Sequence, residues 1–348
     1  MSRFYAVLMS CAFTLLGLSS ASAQAYVAAI TGNNTNSATG CHINAPCADL
    51  NTALSVISAG GNIIFLEPGT FGPIRLTAQV GIGGFSPDTA IAITGNPSAL
   101  VGCIGGAPGS CGANSGFGVE IAAGVNDSVR IQHMQIGAGS GSGGLKFTSG
   151  GTILLAHIIS RGNGAATGPI ILLNPNNPGT TQAQVYFADS DVGFNNSGAN
   201  AGAVLVQPQG NTSMELHFNH VQVHNASYGI RTDGSSLSGP SGVVATFVSE
   251  SEFFSFNNAA VNAFSTAGTG TVNAIFKDCD ILNASVALKA NGPQSFVVLT
   301  RNTVGGNGTG VQVLNGATVL TSLDNTITGN GPSNNQNVSG TLTAAPLQ

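Results

Sequence analysis

The sequence predicts an all-β fold: a single-stranded right-handed parallel β-helix of about nine to ten coils with an N-terminal capping helix. Three observations predict it. An apolar-x-apolar strand pattern recurs at a roughly 25-residue period. The strands are short and end in turns rich in Gly, Asn and Ser. Charged residues are 7% of a chain that is 42% hydrophobic, which excludes ordinary disorder.

The first residues predict a signal peptide over 1–23. Arg3 supplies a positive charge, an apolar run from Ala6 to Leu18 follows, and Ala21-Ser22-Ala23 is a small-x-small cleavage site. We expect cleavage near Ala23 and Gln24. The apolar run is shorter than the ~20 residues that a membrane-spanning helix needs. The mature chain is therefore expected to be secreted or periplasmic, with no membrane association after cleavage.

Residues 24–60 predict a strand, a disulfide loop and the capping helix. Residues 47–59 carry apolar side chains at helical spacing and stop at Gly60-Gly61. A helix here covers the open end of a solenoid, whose exposed strand edge otherwise invites aggregation. Two close cysteine pairs in Gly-, Pro- and Asn-containing loops predict the disulfides Cys41–Cys47 and Cys103–Cys111.

Residues 61–335 predict the β-helix itself, followed by a C-terminal tail over 336–348. Each coil opens with Gly or Ala before an apolar strand. The positions expected to be equivalent, with spacings of 26, 31, 27 and 23 residues, are Val204, Ile230, Val261, Leu288 and Val311. A second strand recurs over 186–192, 218–223, 247–253, 276–281, 298–304 and 322–327. Asparagines recur after it, where stacked turns allow a hydrogen-bonded ladder: Asn195, Asn225, Asn257, Asn283, Asn307 and Asn330.

The segment 61–74, with Pro68-Gly69-Thr70-Phe71 at its centre, resembles the opening coil of proteins of the pectin-lyase-like superfamily. The repeats after it resemble the right-handed parallel β-helix repeat-containing secreted bacterial proteins. The resemblance covers residues 26–335 and implies the fold. It implies no single activity, because this scaffold hosts many activities.

Half of the 14 acidic residues flank one position of the second strand. They are Asp189, Asp191, Glu250, Glu252, Asp278, Asp280 and Asp324, and the residues between them, predicted to point inward, are Ser190, Ser251, Cys279 and Asn325. Stacked carboxylates about 4.8 Å apart repel, and either raise each other's pKa or recruit a cation. The first six are therefore candidate Ca²⁺ ligands. Asp278, Asp280, Glu250 and Glu252, with His220, are candidate catalytic residues for cleaving a sugar linkage. The alternative is a solvated face neutralised by His220, Lys277 and Arg301.

The remaining candidates have ordinary structural explanations. His217 and His224 lie in the same strand region as His220, and scattered surface histidines explain all three. Cys279 falls in the inward series, which predicts a buried, inert thiol. The polygalacturonase and pectate-lyase motifs are absent, and the chain has no Trp and four Tyr. Nine basic residues and a net charge of −5 exclude a nucleic-acid footprint.

These observations predict a non-catalytic binding or structural protein, exported from the cell, whose partner is a polysaccharide or another surface component. The alternative is a carbohydrate-active enzyme, a polysaccharide lyase or glycoside hydrolase, that uses the acidic face with or without Ca²⁺. A third possibility is an adhesin-like passenger. No other cofactor is predicted.

Overall fold

The computed structural model describes residues 24–84, 91–94, 102–104, 116–139, 142–162, 168–177, 181–195, 202–239, 241–331 and 337–344. They form one network of parallel strands with one α-helix and one short 3-10 helix. The helices are η1 (Asn34–Thr39) and α1 (Leu50–Val56). The strands are β1 (Gln24–Val27), β2 (Gly61–Phe65), β3 (Gly69–Phe71), β4 (Ile74–Leu76), β5 (Val80–Gly84), β6 (Ile91–Thr94), β7 (Gly102–Cys103), β8 (Phe117–Ala122), β9 (Ser128–Gly137), β10 (Gly143–Ser149), β11 (Thr152–Arg161), β12 (Ile171–Leu173), β13 (Gln182–Asn195), β14 (Gly202–Val206), β15 (Ser213–Asp233), β16 (Val243–Ser249), β17 (Glu252–Phe264), β18 (Thr271–Lys277), β19 (Asp280–Asn291), β20 (Ser295–Thr300), β21 (Thr303–Gly305), β22 (Thr309–Leu314), β23 (Thr318–Thr321), β24 (Thr326–Thr328), β25 (Val338–Ser339) and β26 (Leu342–Ala344).

The strands wind into three parallel sheets, and the longest strands bend round the corners from one sheet to the next. Sheet 1 stacks β1, β2, β5, β9, β11, β13, β15, β16, β18, β20, β23 and β26. Sheet 2 stacks β3, β6, β9, β11, β13, β15, β17, β19, β21 and β24. Sheet 3 stacks β4, β8, β10, β12, β14, β15, β17, β19, β22 and β25, with β7 beside β4. This is the right-handed parallel β-helix that the sequence predicts, with ten levels in sheets 2 and 3.

The predicted equivalence of five coil positions is confirmed. In sheet 3 Val204 pairs with Ile230, Ile230 with Val261, Val261 with Leu288, and Leu288 with Val311. All five side chains are buried in one continuous core. The alternation of buried and half-buried positions along the strands places apolar side chains inside. The Phe187 and Phe218 rings stack there, 4.7 Å apart.

The N-terminal cap forms as predicted, although α1 is shorter than residues 47–59. Asp49 begins the helix, because its side chain accepts a hydrogen bond from Thr52 N at 2.7 Å. Leu50, Ala53 and Leu54 are buried in the core. The Cys41–Cys47 disulfide is confirmed and lies beside β1. Among the described residues, no helix has the length and hydropathy that crossing a membrane requires.

Two predicted alignments are wrong in detail. The predicted Asn ladder combines residues from two different turn positions. Asn307 and Asn330 occupy the same position in successive coils and hydrogen-bond to each other at 2.9 Å. Asn225 and Asn283 lie one residue earlier in their turns, where φ is positive. Phe218 and Phe276 begin predicted second strands as if equivalent to Phe247. In the structure both pair with Val248, whose side chain points inward. The predicted alignment of these strands is therefore displaced by one residue, which assigns each side chain to the opposite face of the sheet.

The remaining predictions concern the C-terminal tail, the signal peptide and the second disulfide. The predicted tail contributes β25 and β26, which pair with β22 and β23, so the stacking extends past residue 335. The signal peptide, residues 1–23, lies outside the described residues, and so does Cys111 of the predicted Cys103–Cys111 disulfide.

Candidate functional site

A column of residues in the left-handed backbone region forms the corner between sheets 1 and 2, here called the first corner. One residue from each of seven successive coils has φ between 49° and 56°: His133, His157, Asp189, His220, Glu250, Asp278 and Arg301. A non-glycine residue in this region costs about 1–2 kcal/mol, so the stack imposes the conformation. Each of these side chains points away from the core, and the next residue points inward.

The inward position after the first corner is occupied as the sequence predicts. Ser190, Ser251 and Cys279 are each no more than 5% exposed. The serine hydroxyls have a specific role. Ser190 Oγ accepts a hydrogen bond from Ile158 N, and Ser251 Oγ accepts one from Val221 N, each at 3.1 Å. A polar side chain in one coil thus satisfies a backbone N–H that the turn of the preceding coil leaves without a sheet partner.

The predicted carboxylate ribbon divides into two separate sets. Asp189, Glu250 and Asp278 lie on the first corner, whereas Asp191, Glu252 and Asp280 lie two residues later in sheet 2. In sheet 2, Gln222 separates Asp191 from Glu252, and Thr303 follows Asp280. Glu252 and Asp280 are in-register carboxylate neighbours in sheet 2, and Glu250 and Asp278 occupy the same two coils on the first corner. The carboxylates therefore flank the inward position in two columns, and the coil of His220 and Gln222 interrupts both columns.

Basic side chains interrupt the corner set as well. His220 Nε2 lies 2.8 Å from Glu250 Oε2, and its Nδ1 lies 4.0 Å from Asp189 Oδ1. Arg301 donates two hydrogen bonds of 2.7 Å to the Asp278 carboxylate. Asp324 Oδ1 accepts a hydrogen bond from Arg301 N. The candidate catalytic residues Glu250, Asp278 and His220 are thus engaged with side chains of neighbouring coils on an exposed edge.

Asp191 is a half-buried carboxylate of sheet 2 that contacts both neighbouring coils. It accepts two hydrogen bonds from Arg161, at 2.5 and 2.6 Å, and lies 2.7 Å from His224 Nε2. Burial opposes ionisation, but the hydrogen bonds and charge of Arg161 and the contact with His224 outweigh it and lower the pKa of Asp191. Phe254 stacks on the buried His224 ring, 4.9 Å away, and Phe194 meets its edge. This cluster is structural.

The shifted carboxyl groups do not suit general-acid catalysis. A carboxylic acid that protonates a leaving group needs a raised pKa. Hydrogen bonds from Arg301 lower the pKa of Asp278, and a hydrogen bond from Ser322 lowers that of Asp324. The contact with His217 lowers the pKa of Glu215. Among the described residues, every carboxyl group with a resolved pKa shift is shifted downward.

The described acidic residues do not form a cluster that could coordinate Ca²⁺. Within the described ranges, no three His, Cys, Asp or Glu side chains are grouped so that they could hold a metal ion. Ca²⁺ takes six to eight oxygen ligands, whereas the described residues bring carboxylates together only as pairs. Glu252 and Asp280 are exposed in sheet 2, and on the first corner Arg301 engages the carboxylate of Asp278 beside Glu250. The Ca²⁺ hypothesis for the six acidic residues gains no support from this geometry.

The histidines of the β-helix occupy three different environments, one of which is the buried cluster around His224. His133 and His157 stack on the first corner, with ring centroids 4.6 Å apart. Burial, followed by the charges of His157 and Arg130, lowers the pKa of His133. His217 lies on sheet 1 beside Glu215, 2.7 Å away. His133, His157, His220 and Asp189 border an open groove of about 440 Å³ along the corner.

An outward apolar column on sheet 1 was missed by the sequence analysis, and we call it the stripe. It runs in register through seven coils: Leu154, Tyr186, His217, Phe247, Ile275, Val298 and Leu320. The Tyr186 ring stacks on His217 at 4.9 Å, and His217 on Phe247 at 5.0 Å. Since each ring covers its neighbour, solvent meets mainly ring edges. A strict register of outward strand positions would have revealed it.

Polar and small side chains, with the exception of Phe296, flank the stripe on both sides at the same repeat. On one side the column contains Thr152, Gln184, Glu215, Ala245, Asn273, Phe296 and Thr318. On the other it contains Ala156, Ala188, Asn219, Ser249, Lys277 and Thr300. The face therefore offers an apolar strip with hydrogen-bonding groups beside it at every strand spacing, about 4.8 Å.

The stripe continues at its N-terminal end into a polar notch of about 250 Å³. Arg130 pairs in register with Leu154, and Gly81 and Asn62 precede Arg130 in the same column. Gln132 also borders the notch. Of the five arginines in the described residues, Arg75, Arg161, Arg231 and Arg301 pair with carboxylates. Arg130 is exposed and has no carboxylate partner among the described residues.

No protein-family model and no curated protein matches the chain. Several solved structures are similar to it. Pectate lyase Pel9A superposes with a TM-score of 0.57 at 14% identity over 93% of this chain and 78% of that one. The Dettilon tailspike protein gives 0.45 at 10% identity over 82% and 62%. The complex of XylC with xylose gives 0.44 at 9% identity over 92% and 70%. The likeness to pectate lyase Pel9A and the in-register parallel strands together establish that the chain is a right-handed parallel β-helix.

Proposed function

We propose that the protein is an exported, non-catalytic β-helix that binds an extended polysaccharide along the outer face of sheet 1. The observation that carries the proposal is the unbroken register of the stripe, from Leu154 to Leu320. A linear polymer laid along the solenoid axis would meet the same pattern at every coil. The signal peptide predicted over 1–23 and the Cys41–Cys47 disulfide support an oxidising compartment outside the cytoplasm.

The chemistry of the face suits a sugar chain. Sugar rings present C–H-rich faces and a rim of hydroxyl groups. The C–H-rich faces can bury apolar surface on Tyr186, Phe247 and Ile275. The hydroxyl groups can exchange hydrogen bonds with side chains beside the stripe, such as Gln184 and Asn219. Each contact is weak, but a polymer that lies along the axis makes one at every coil, and their contributions add. Arg130 and the amides of the notch extend the polar contacts at one end.

The non-catalytic part of the proposal rests on the acidic residues. The partners described above hold Asp191 and Asp278 ionised, and His220 contacts Glu250. None of these groups is arranged as a protonated acid poised over the groove. Pectate lyase Pel9A, by its name, acts on pectate; at 14% identity that activity does not transfer to this chain.

Affinity electrophoresis through gels that contain single polysaccharides tests the proposal. We expect at least one neutral or acidic polysaccharide to retard the mature protein. Ile275→Ser, which removes apolar surface from the stripe, should weaken retardation about fivefold. The matched control is Leu323→Ser, since Leu323 is 81% exposed and lies off the stripe. Mobility unchanged in every gel, or equal effects of the two substitutions, would overturn the proposal.

The enzyme alternative is tested on the same polysaccharides. Reducing ends would report hydrolysis, and ultraviolet absorbance of unsaturated products would report elimination. We expect neither to exceed the rate of a heat-denatured sample. Turnover that is lost in a variant of Glu250 or Asp280 while binding persists would contradict the non-catalytic assignment.

A further inference from the structure

A small depression interrupts the outer face of sheet 1 near the C-terminal end of the stripe. In the flanking column, Ala245 pairs with Asn273, and Asn273 with the much larger Phe296. Phe247 and Ile275 of the stripe form the facing wall. The depression has a volume of about 290 Å³, enough for a small substituent rather than for a helix or a peptide segment.

The walls are apolar, with one exception. Ile275 and Phe296 are each 36% exposed, so their outer surfaces remain unburied. The Thr246 hydroxyl is buried and faces Thr232 Oγ at 3.3 Å, so it is turned inward. The Asn273 side chain lines the depression, and it makes no hydrogen bond with any residue in the described ranges. The site therefore offers apolar walls and one free amide, which can donate or accept.

This combination selects the chemistry of the group that fits. No lining side chain carries a charge, so a carboxylate or sulfate would be desolvated without a partner. Glu215, one coil before Ala245 in the same column, would repel an anion further. A hydroxyl-rich group would lose hydrogen bonds to water against Phe247, Ile275 and Phe296. An acetyl group has a methyl for the apolar walls and a carbonyl oxygen that can accept a hydrogen bond from Asn273 Nδ2.

We infer that this depression is an acetyl-binding subsite, so that the polysaccharide bound by the face is an acetylated one. The inference rests on the proposed function, because the subsite is useful only to a polymer that lies along the stripe. The acetyl group would anchor the polymer at one coil, whereas the stripe contacts every coil in the same way. The subsite thus contributes specificity, and the stripe contributes most of the affinity.

Matched pairs of polysaccharides test the inference. An O-acetylated xylan and an O-acetylated glucomannan would be compared by affinity electrophoresis and calorimetry with the same preparations after mild alkaline deacetylation. We expect deacetylation to weaken binding of at least one polymer about tenfold. Phe296→Ser and Asn273→Leu should bind both forms with the weaker affinity, and Leu323→Ser should keep the preference. Phe296→Leu, which retains a large apolar side chain, guards against a folding defect, and thermal melting is compared for all variants.

The outcomes separate the two proposals. If the wild-type protein binds both forms of every polymer equally, the acetyl subsite is wrong and polysaccharide binding stands. A preference for acetylated polymer that survives in Asn273→Leu and Phe296→Ser also overturns the subsite. If no polymer of any kind is bound, the proposed function fails and the subsite fails with it.

Discussion

His224 Nε2 lies 2.7 Å from Asp191 Oδ1, so that the histidine of one coil contacts the carboxylate of the coil before it. The His224 side chain is 7% exposed, and the carboxylate also receives both hydrogen bonds of Arg161 from the coil on its other side. Three consecutive coils are therefore joined through one acidic side chain. In a solenoid, where each coil touches only its neighbours, such a link adds to the stability of stacking.

Asp191→Asn should destabilise the fold by about 2–4 kcal/mol, because it leaves Arg161 without a counter-charge and weakens the contact with His224. Urea unfolding monitored by circular dichroism gives the free energy of unfolding. Asp280→Asn is the matched control, since Asp280 is exposed and its side chain has no hydrogen-bond or ion-pair partner among the described residues; its effect should stay within about 0.5 kcal/mol. Equal losses would contradict a structural role for Asp191.

The same cluster predicts an acid-dependent loss of stability. The pKa of Asp191 is lower in the folded protein than in the unfolded chain, since Arg161 and His224 outweigh the effect of burial. As the pH falls, the unfolded chain therefore binds the proton before the folded protein does. The stabilisation is fully present above the usual carboxyl range near pH 4, and it is lost as the pH falls through the pKa of Asp191 in the folded protein. Urea midpoints measured between about pH 6 and pH 2.5 should fall more steeply for wild type than for Asp191→Asn. Parallel curves would argue against the assignment.

Local pattern was sufficient to predict the fold and the core register. Val261 and Leu288 each follow Ala and begin an alternating strand, so their equivalence is visible without the structure. The inward direction of Ser190 and Ser251 follows from the same alternation. Each of these conclusions depends on neighbours within a few residues, for which strand geometry is fixed.

The site could not be predicted in the same way, because it depends on register between coils. The positive φ of Asp189 and Glu250 turns the chain between i and i+2, and two carboxylates expected on one face separate. The stripe required Tyr186, His217 and Phe247 to be aligned through loops of unequal length. A one-residue slip in that alignment exchanges inward Phe218 for outward His217 and conceals the stripe.

Asn307 should contribute to stability near the C-terminal end of the β-helix. It is 3% exposed, its Oδ1 accepts from Ala284 N at 2.9 Å, and its Nδ2 donates to Ile281 O at 2.9 Å. Asn307→Ala leaves the Ala284 N–H without this acceptor and removes the contact with Ile281 O, at a cost of about 1–3 kcal/mol. Asn219→Ala, on the exposed face, should cost about 0.5 kcal/mol or less. Hydrogen exchange should show loss of protection at Ala284 in the first variant; unchanged protection would refute the ladder.

The first corner should accept residues according to their tolerance of the left-handed region. His157 has φ 53° and an exposed side chain, so its substitution tests backbone preference with little loss of packing. His157→Asn should change the free energy of unfolding by about 0.5 kcal/mol or less, because Asn visits this region readily. His157→Val should cost about 1–2 kcal/mol, since a β-branched side chain clashes there. Urea midpoints measure both, and equal midpoints would mean that the coil relaxes to another turn.

Cys279 should be chemically inert in the folded protein. It is 1% exposed, and burial raises the pKa of its thiol to about 11. Because the thiolate is the reactive form, alkylation by iodoacetamide at neutral pH should be at least roughly 100-fold slower than for an exposed cysteine. Mass spectrometry of the peptide that contains Cys279, with and without urea, measures the protection. Rapid labelling of the native protein would contradict it.

The position of Cys279 also predicts its best replacement. The thiol Sγ contacts Lys277 O at 3.2 Å, as Ser190 Oγ contacts Ala188 O and Ser251 Oγ contacts Ser249 O at 2.7 Å. Serine at 279 can make the same hydrogen bond to the carbonyl two residues before it. Cys279→Ser should therefore cost no more than about 1 kcal/mol, whereas Cys279→Leu overpacks the corner and should cost about 1–3 kcal/mol. If the two variants unfold at the same urea concentration, the inward column is not packed as described.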